Sequence, residues 1–501
     1  MGKKVTVIGG GLAGMSVAIR LAAENYDVTI LEKGERLGGK LNIRVGNGFR
    51  FDTGPSILTM PWVLEKLFDD VGKNVHDYLD IVRVEPGWRT FFEDGTVINL
   101  TSDLPTMLEE IKKVSEEDSQ SFLSYLQYSA KLYDLMKKSF YKENISGLQD
   151  LRKKHPLKEL WMMDPIKSFD QSTSKYFKDA RIQQLMNFLI MYIGSSPYHA
   201  PAVLTQLAHV QLGIGVYYVK GGMYKIAEAM EQLLNEFGVK VILNCKVTGL
   251  LQDGTEVKGV KTEDGNTMLA DLVVSNLEVI PFYKSLLETQ PEIKRATQDL
   301  TKFEPTVSGL VLLLGVNKKF DNLSHHNFFF SADAKKEFQQ IFDEKVLADD
   351  PTVYVGISSK TDPTQAPADK ENLFVLTHVP PLKEGESWEQ YKNSYRDKVL
   401  TKLEKMGMTD LRNSIEFEYV FTPDDLQELY GSNGGSIYGV VTDRKLNGGF
   451  KIPSRSKLFP NVYFVGGSTH PGGGVPMVTL SGQLTADLIL DDEAKSGQQI
   501  G

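Results

Sequence analysis

Apolar and polar residues alternate at the start of the chain, with Val5, Val7 and Ile8 around Thr6, and predict a short strand. It runs into Gly9-Gly10-Gly11-Leu12-Ala13-Gly14, and the weakly charged stretch from Ser16 to Ala23 predicts a helix. A second strand is predicted over Asp27 to Leu31 and ends at Glu32. Met223, Ile226, Ala227, Met230, Leu233 and Leu234 recur at helical spacing, predicting an amphipathic helix from Gly222 to Phe237, with a strand at Val239 to Leu243 behind it. Val307 to Val316, Thr352 to Ile357 and Leu373 to His378 read as strands. Residues 60–150 read as largely helical. From Val462 the pattern is strand, glycine run and a helix reaching about Leu490, and the tail from Ser496 to Gly501 reads as frayed.

The strand, glycine turn and helix at the start carry chemistry. In G-x-G-x-x-G, Gly9 makes the tight turn, Gly11 lets backbone approach a pyrophosphate and Gly14 lets helix and strand pack closely. The anion then faces the positive end of a helix. Glu32 stands 18 positions after Gly14, where a carboxylate meets an adenosine ribose. Val7, Ile8, Gly9, Gly10, Gly11, Leu12, Ala13, Gly14 and Glu32 are therefore the first candidate cofactor-binding residues, the alternative being a glycine turn with no ligand.

Composition narrows the class. A chain of 501 residues, 41% hydrophobic and 24% charged, is that of a folded protein of two to four domains. The net charge of −9 argues against a nucleic-acid binder. One cysteine, Cys245, excludes an intrachain disulfide and a cysteine metal cluster, and reads as a small buried thiol in a strand-like run. The start at Met1 carries no signal-peptide pattern, and no uninterrupted apolar run is long enough to span a bilayer.

After the second strand, Arg36-Leu37-Gly38-Gly39-Lys40 supplies another glycine pair flanked by cations. This segment resembles the R-x-G-G-[RK] segment of the flavin-dependent amine oxidase and phytoene desaturase superfamily. The resemblance implies FAD as the cofactor, with Lys33, Gly38, Gly39 and Lys40 beside the pyrophosphate and the flavin. Phe51-Asp52-Thr53-Gly54-Pro55-Ser56 is similar to the family's D-x-G-P turn, implying that Gly54, Pro55 and Ser56 lie near the flavin. Val219-Lys220-Gly221-Gly222-Met223 is similar to its G-G-M segment, and Val247 stands where the family contacts adenine. Gly466-Gly467-Ser468 and Gly474-Val475-Pro476-Met477 lie between the last strand and the last helix, which aims a second positive dipole end at a ligand. In the family this end faces the flavin ring, so Gly466, Gly467, Ser468, Gly474, Val475, Pro476 and Met477 complete the candidate cofactor site.

Within the superfamily the chain resembles the bacterial carotenoid desaturases and their sister diapocarotenoid oxygenases. Gly54 to Pro61, Trp88-Arg-Thr-Phe-Phe92, Gly194 to Val203, His325 to Phe330 and Ile437 to Val441 lean toward the oxygenases, while Thr469-His470-Pro471 is also common in the desaturases. The resemblance implies an FAD-dependent oxidoreductase of carotenoid biosynthesis. It would oxidise the terminal methyl of a linear C30 diapocarotenoid, diaponeurosporene or diapolycopene, to an aldehyde with dioxygen or another electron acceptor. The alternative is a dehydrosqualene or phytoene desaturase that passes hydride to FAD. A noncatalytic flavoprotein or carotenoid carrier is a third reading. Amine oxidation is opposed by the missing C-terminal cysteine for covalent flavin.

From Ile182 to Val219 no Asp, Glu, Lys or Arg occurs, which fits core elements, an apolar tunnel wall, or both. Lys131 to Lys158 carries eight Lys or Arg against three acids, beside Trp161-Met162-Met163 and an upstream stripe of Phe122, Leu123, Leu126, Leu132, Tyr133, Leu135 and Met136. A basic surface with aromatic and Met residues predicts docking on anionic lipid, hence a cytoplasmic protein held at the inner face of the membrane. His325-His326 lacks partners for a metal site, His470 reads as backbone support, and no residue stands out as a catalytic base.

The expected architecture is α/β: a discontinuous Rossmann-type FAD-binding domain with an inserted α+β substrate domain carrying a helical membrane-facing part. The FAD-binding parts are expected at 1–75, 219–300 and 456–501, the helical membrane-facing substrate region at 76–218 and the substrate sheet at 301–455.

Overall fold

The computed structural model describes residues 2–287 and 298–500. The strand Lys4–Ile8, the helix Leu12–Ala23 and the strand Asp27–Leu31 form where the alternation predicts them. The two strands pair in parallel, Val5 opposite Val28 and Ile8 opposite Leu31. Parallel neighbours need a crossover, and the helix supplies it. Distant segments complete the sheet, whose order is Val462–Phe464, Leu272–Ser275, Lys4–Ile8, Asp27–Leu31, Lys240–Ile242, all parallel. One sheet thus draws on the beginning, middle and end of the chain, the discontinuous arrangement the motifs predict.

The helix Leu12–Ala23 packs against Lys225–Glu236 and against the last helix, Val475–Ile500. Met223, Ile226, Ala227, Met230, Leu233 and Leu234 are all buried in this layer. The first and last helices approach to backbone contact. The Ser16 hydroxyl donates to the Thr479 carbonyl at 2.7 Å, and a side chain on Gly482 would come within 2.5 Å of the Ala13 carbonyl oxygen. The last helix continues to Ile500, past Leu490 and through the stretch expected to fray.

The second sheet has seven strands in the order Ile415–Phe421, Ser308–Val316, Glu371–Val379, Val353–Gly356, His326–Phe329, Trp88–Phe91, Val97–Leu100. The stretch 60–150 is helical over Trp62–Asp69, Leu104–Lys112 and Glu116–Lys138, in line with the expectation, but it also holds strands that the expectation lacked. Ile81–Arg83, Trp88–Phe91 and Val97–Leu100 are strands. Trp88–Phe91 joins the sheet in parallel with His326–Phe329, Asn327 opposite Arg89, and the Trp88 and Phe328 rings stack at 4.4 Å. Strands this short show no readable period, and their partner lies far along the sequence.

The charge-free stretch divides into short helices and the strand Tyr217–Val219, with Gly194 turning the chain in a left-handed conformation. The basic region forms the end of Glu116–Lys138 and the short helices Leu148–Lys154 and Leu157–Met162, and these two bury no side chain. The upstream stripe belongs mostly to the core, because Phe122, Leu132, Tyr133, Leu135 and Met136 are buried. Leu148, Leu157, Trp161, Met162 and Ile166 are exposed instead. Among the described residues no helix is long and apolar enough to cross a membrane.

Candidate functional site

The carboxyl ends of the five parallel strands open into a cavity of about 710 Å³, in the range of small-molecule sites. Two glycine motifs far apart in sequence form one backbone surface at its base. The Gly38 N–H donates to the Gly10 carbonyl at 2.9 Å, and a side chain on Gly39 would approach the Gly11 α-carbon to 3.0 Å. The helix Leu12–Ala23 starts at Gly11 with no side-chain cap, so N–H groups of its first turn remain for an anion. Asn276, just past the strand Leu272–Ser275, closes the base: its N–H donates to the Ile8 carbonyl at 2.8 Å, and its amide lies over Gly9 and Gly11.

Glu32 is fixed before any ligand arrives. One carboxylate oxygen accepts the Gly10 N–H at 2.7 Å, the other the Gly34 N–H at 2.7 Å, and the Cys245 N–H donates to the Glu32 carbonyl at 2.8 Å. Its remaining lone pairs can accept from a ribose. Cys245 is therefore not in a strand. It follows the strand Lys240–Ile242, is half-buried and lines the cavity, where burial raises its thiol pKa. The uncapped helix end, the side-chain-free glycine cradle and the held carboxylate fit the phosphates and ribose of FAD.

Lys40 also lines the cavity, but its ammonium donates to the carbonyls of Ser436 and Ile437 at 2.8 and 3.1 Å and lies 3.5 Å from the Glu278 carboxylate. Burial lowers its pKa and Glu278 opposes that shift. Asp52 joins the two other motifs. Its buried carboxylate accepts the N–H groups of Met223 and Tyr224 at 2.8 and 3.0 Å, so the D-x-G-P turn holds the start of the G-G-M helix. Burial pushes its carboxyl pKa up, against the nearby Arg50 charge.

At the far side, Gly466, Gly467, Gly474 and Val475 line the cavity. The segment carrying Tyr438 crosses this cap at backbone contact, since a side chain on Gly467 or Gly473 would meet the Tyr438 carbonyl at 2.8 or 2.5 Å. Next to the cap, the buried His470 ring pairs through Nε2 with the Phe140 carbonyl at 2.8 Å, and burial holds its pKa at about 4. His470 is thus neutral and supports backbone.

Beyond the cap the cavity becomes apolar, walled by Trp88, Phe188, Met191, Phe328, Phe374 and Leu376. The charge-free stretch therefore supplies part of this wall as well as core. Few polar groups interrupt it. Tyr192 pairs weakly with Thr59 at 3.3 Å, and the buried His378, with Nε2 unpaired and its pKa pushed down to about 4, lines the same space.

Of the sequence-derived candidates, Ile8, Gly9, Gly11, Leu12, Ala13, Glu32, Lys33, Gly38, Gly39, Lys40, Gly54, Pro55, Ser56, Val247, Gly466, Gly467, Gly474 and Val475 line the cavity. Val7, Gly10, Gly14, Ser468, Pro476 and Met477 are not on its wall. Gly10 instead presents its N–H to Glu32, and the Ser468 hydroxyl accepts the Val279 N–H at 3.2 Å. Asn276, Tyr354, His378 and Tyr438 escape a sequence reading. Only Asn276 carries a signal, as a polar residue closing an apolar strand, where ligands gather in parallel sheets. His325 and His326 are both buried, and among the described residues no group of His, Cys, Asp and Glu is arranged to hold a metal.

The family described as flavin containing amine oxidoreductase matches residues 12–490. The chain is 46% identical over 98% of its length to a 4,4'-diapolycopene oxygenase of Methylomonas sp, covering 98% of that protein. It is 44% identical, with 98% of both chains covered, to a 4,4'-diaponeurosporene oxygenase of Staphylococcus haemolyticus. Among solved structures, an oxidoreductase from Methanosarcina mazei superposes with a TM-score of 0.64 at 18% identity, covering 97% of this chain and 100% of the other, a likeness of fold.

Proposed function

The chain belongs to the flavin containing amine oxidoreductase family, and from that premise we propose that it oxidises the terminal methyl of a linear C30 diapocarotenoid to an aldehyde with dioxygen. It is an FAD-dependent enzyme. The observation that carries the substrate reading is one continuous cavity, polar and glycine-lined at one end, aromatic and aliphatic at the other, matching a dinucleotide followed by a hydrocarbon. Relatives named for diapolycopene and diaponeurosporene supply the chain class.

In this reading Gly9, Gly11, Gly38, Gly39 and the first turn of the helix Leu12–Ala23 hold the pyrophosphate, and Glu32 accepts from the ribose. Gly54 to Ser56 and the cap at Gly466, Gly467, Gly474 and Val475 flank the ring. Bound there, FAD supplies the two-electron chemistry and the reactivity toward dioxygen. Trp88, Phe188, Met191 and Phe328 align the polyene and exclude water. The overall conversion balances as one methyl and one dioxygen giving one aldehyde and one water.

A water-insoluble substrate needs a route from lipid. The exposed Leu148, Leu157, Trp161, Met162 and Ile166 stand among exposed Arg152, Lys153, Lys154 and Lys158. Apolar side chains interleaved with cations suit the headgroup boundary of an anionic bilayer, which supports the reading of a peripheral enzyme at the inner membrane face.

The reading is tested by incubating the FAD-loaded protein with liposomes containing diaponeurosporene under isotopically labelled dioxygen. Label in an aldehyde supports it. Loss of hydrogen pairs without oxygen makes the protein a desaturase, and a carotene that binds but never reacts makes it a carrier.

A further inference from the structure

Three polar side chains form one hydrogen-bonded chain at the wall of the cavity. The Tyr354 hydroxyl lies 2.8 Å from the Ser56 hydroxyl and 2.7 Å from Nδ1 of His326. Ser56 and Tyr354 both line the cavity, among Phe328, Phe374 and Leu376. His326 lies behind them, fully buried on the strand His326–Phe329, and its Nε2 has no hydrogen-bond partner.

Counting protons fixes what this chain presents. Burial keeps the His326 imidazole well below its ordinary pKa and raises that of the Tyr354 phenol, so both are neutral. The imidazole, phenol and serine hydroxyl then carry one exchangeable proton each, and the two hydrogen bonds use two of the three. A third proton on Nε2 would be a buried N–H without an acceptor, which folded proteins avoid more strongly than an acceptor short of a donor. The third proton therefore sits on Ser56 or Tyr354, and both residues line the cavity. An O–H donor with no protein acceptor is set into an apolar wall.

A hydrocarbon offers that donor nothing. We propose that the Ser56–Tyr354–His326 chain is a binding subsite for the carbonyl oxygen of the aldehyde product, with Tyr354 the positioning residue. The inference rests on the carotenoid-oxidising reading and deepens it by naming the group that meets the new oxygen. It also gives His326 a role, since a ring donating from Nδ1 to the phenol oxygen leaves the Tyr354 O–H to point toward Ser56 or the cavity.

The test measures equilibrium binding of two linear C30 polyenes to the FAD-loaded protein, one ending in methyl and one in aldehyde. For the wild type the bound aldehyde should absorb at longer wavelength than in hydrocarbon solvent, because a hydrogen bond to a conjugated carbonyl stabilises its excited state. In Tyr354→Phe that shift should disappear, and the affinity ratio of aldehyde to hydrocarbon should fall about tenfold, the worth of one hydrogen bond. Ser56→Ala should act in the same direction and Ser56→Thr, which keeps the hydroxyl, should restore the ratio. Ser56→Ala also serves should Tyr354→Phe fail to fold. An unchanged ratio with both ligands bound overturns the subsite alone. Movement of the flavin absorption in place of the polyene band overturns it too, by assigning the donor to the cofactor. If neither polyene binds the wild type, the subsite and the carotenoid reading fall together.

Discussion

Glu32 and Gly10 are joined by a 2.7 Å hydrogen bond from the Gly10 N–H to the Glu32 carboxylate, tying the glycine turn after one parallel strand to the acid that ends its neighbour. The residue proposed to accept from the ribose thus also shapes the turn proposed to hold the phosphates.

Glu32→Ala should therefore fail twice over. Losing a hydrogen bond to a charged group weakens FAD binding by about 10- to 100-fold, and leaving the Gly10 and Gly34 N–H groups without their acceptor costs about 1–3 kcal/mol of stability. Flavin titration and thermal unfolding read the two effects separately. Unchanged FAD affinity in a correctly folded variant would remove the ribose role.

Lys451 is buried under the glycine cap, donates to the Val440 carbonyl, and has its pKa lowered by burial to about 7. The unfolded chain binds this proton up to about pH 10.4, so between those values it holds more protons than the folded state and stability rises with pH. The cost of the buried charge is present in full below pH 7 and relieved as pH climbs. Lys451→Met should remove a slope of up to about 1.4 kcal/mol per pH unit. Unfolding curves of wild type and variant from pH 6 to 10 check this, and parallel profiles would refute it.

Trp161, Leu157 and Ile166 are 66%, 70% and 69% exposed, so changing all three to Ser should leave thermal stability nearly unchanged. The same change should release the protein from anionic vesicles in a flotation assay. Arg152→Gln, Lys153→Gln, Lys154→Gln and Lys158→Gln should weaken anionic vesicle binding and its dependence on salt. Undiminished flotation of the triple variant would remove the docking surface.

Trp88 lines the apolar wall of the cavity, stacked on Phe328. Trp88→Ala should cost about 3–5 kcal/mol and open space at the wall. Competition between C30 and longer polyenes should then shift toward the longer ones, and unaltered preference would place the length gauge elsewhere.

Local features explain which parts of the site were legible in the sequence. Gly9 to Gly14 and Glu32 sit in a strand–turn–helix–strand unit whose geometry is written in consecutive residues. The helix bearing Met223 to Leu234 is equally local. Trp88–Phe91 is a strand because His326–Phe329 lies beside it, and four residues give no period to read. Tyr354 belongs to the site through His326 on the neighbouring strand and through Ser56 on a loop 298 positions away in sequence. The stripe from Phe122 to Met136 was ambiguous for another reason: helical spacing reveals a face, not what covers it, and here most of that face is core.

The central strand of the parallel sheet, Lys4–Ile8, waits for Leu272–Ser275, and that strand in turn for Val462–Phe464. During synthesis at the ribosome the opening βαβ unit emerges early, yet the cap around Gly466 to Val475 can close over it only after the whole substrate region has been made. The nascent chain therefore cannot complete the wall of the cavity until its last segment, Gly466 to Val475, has been made, long after the glycine turn at its base.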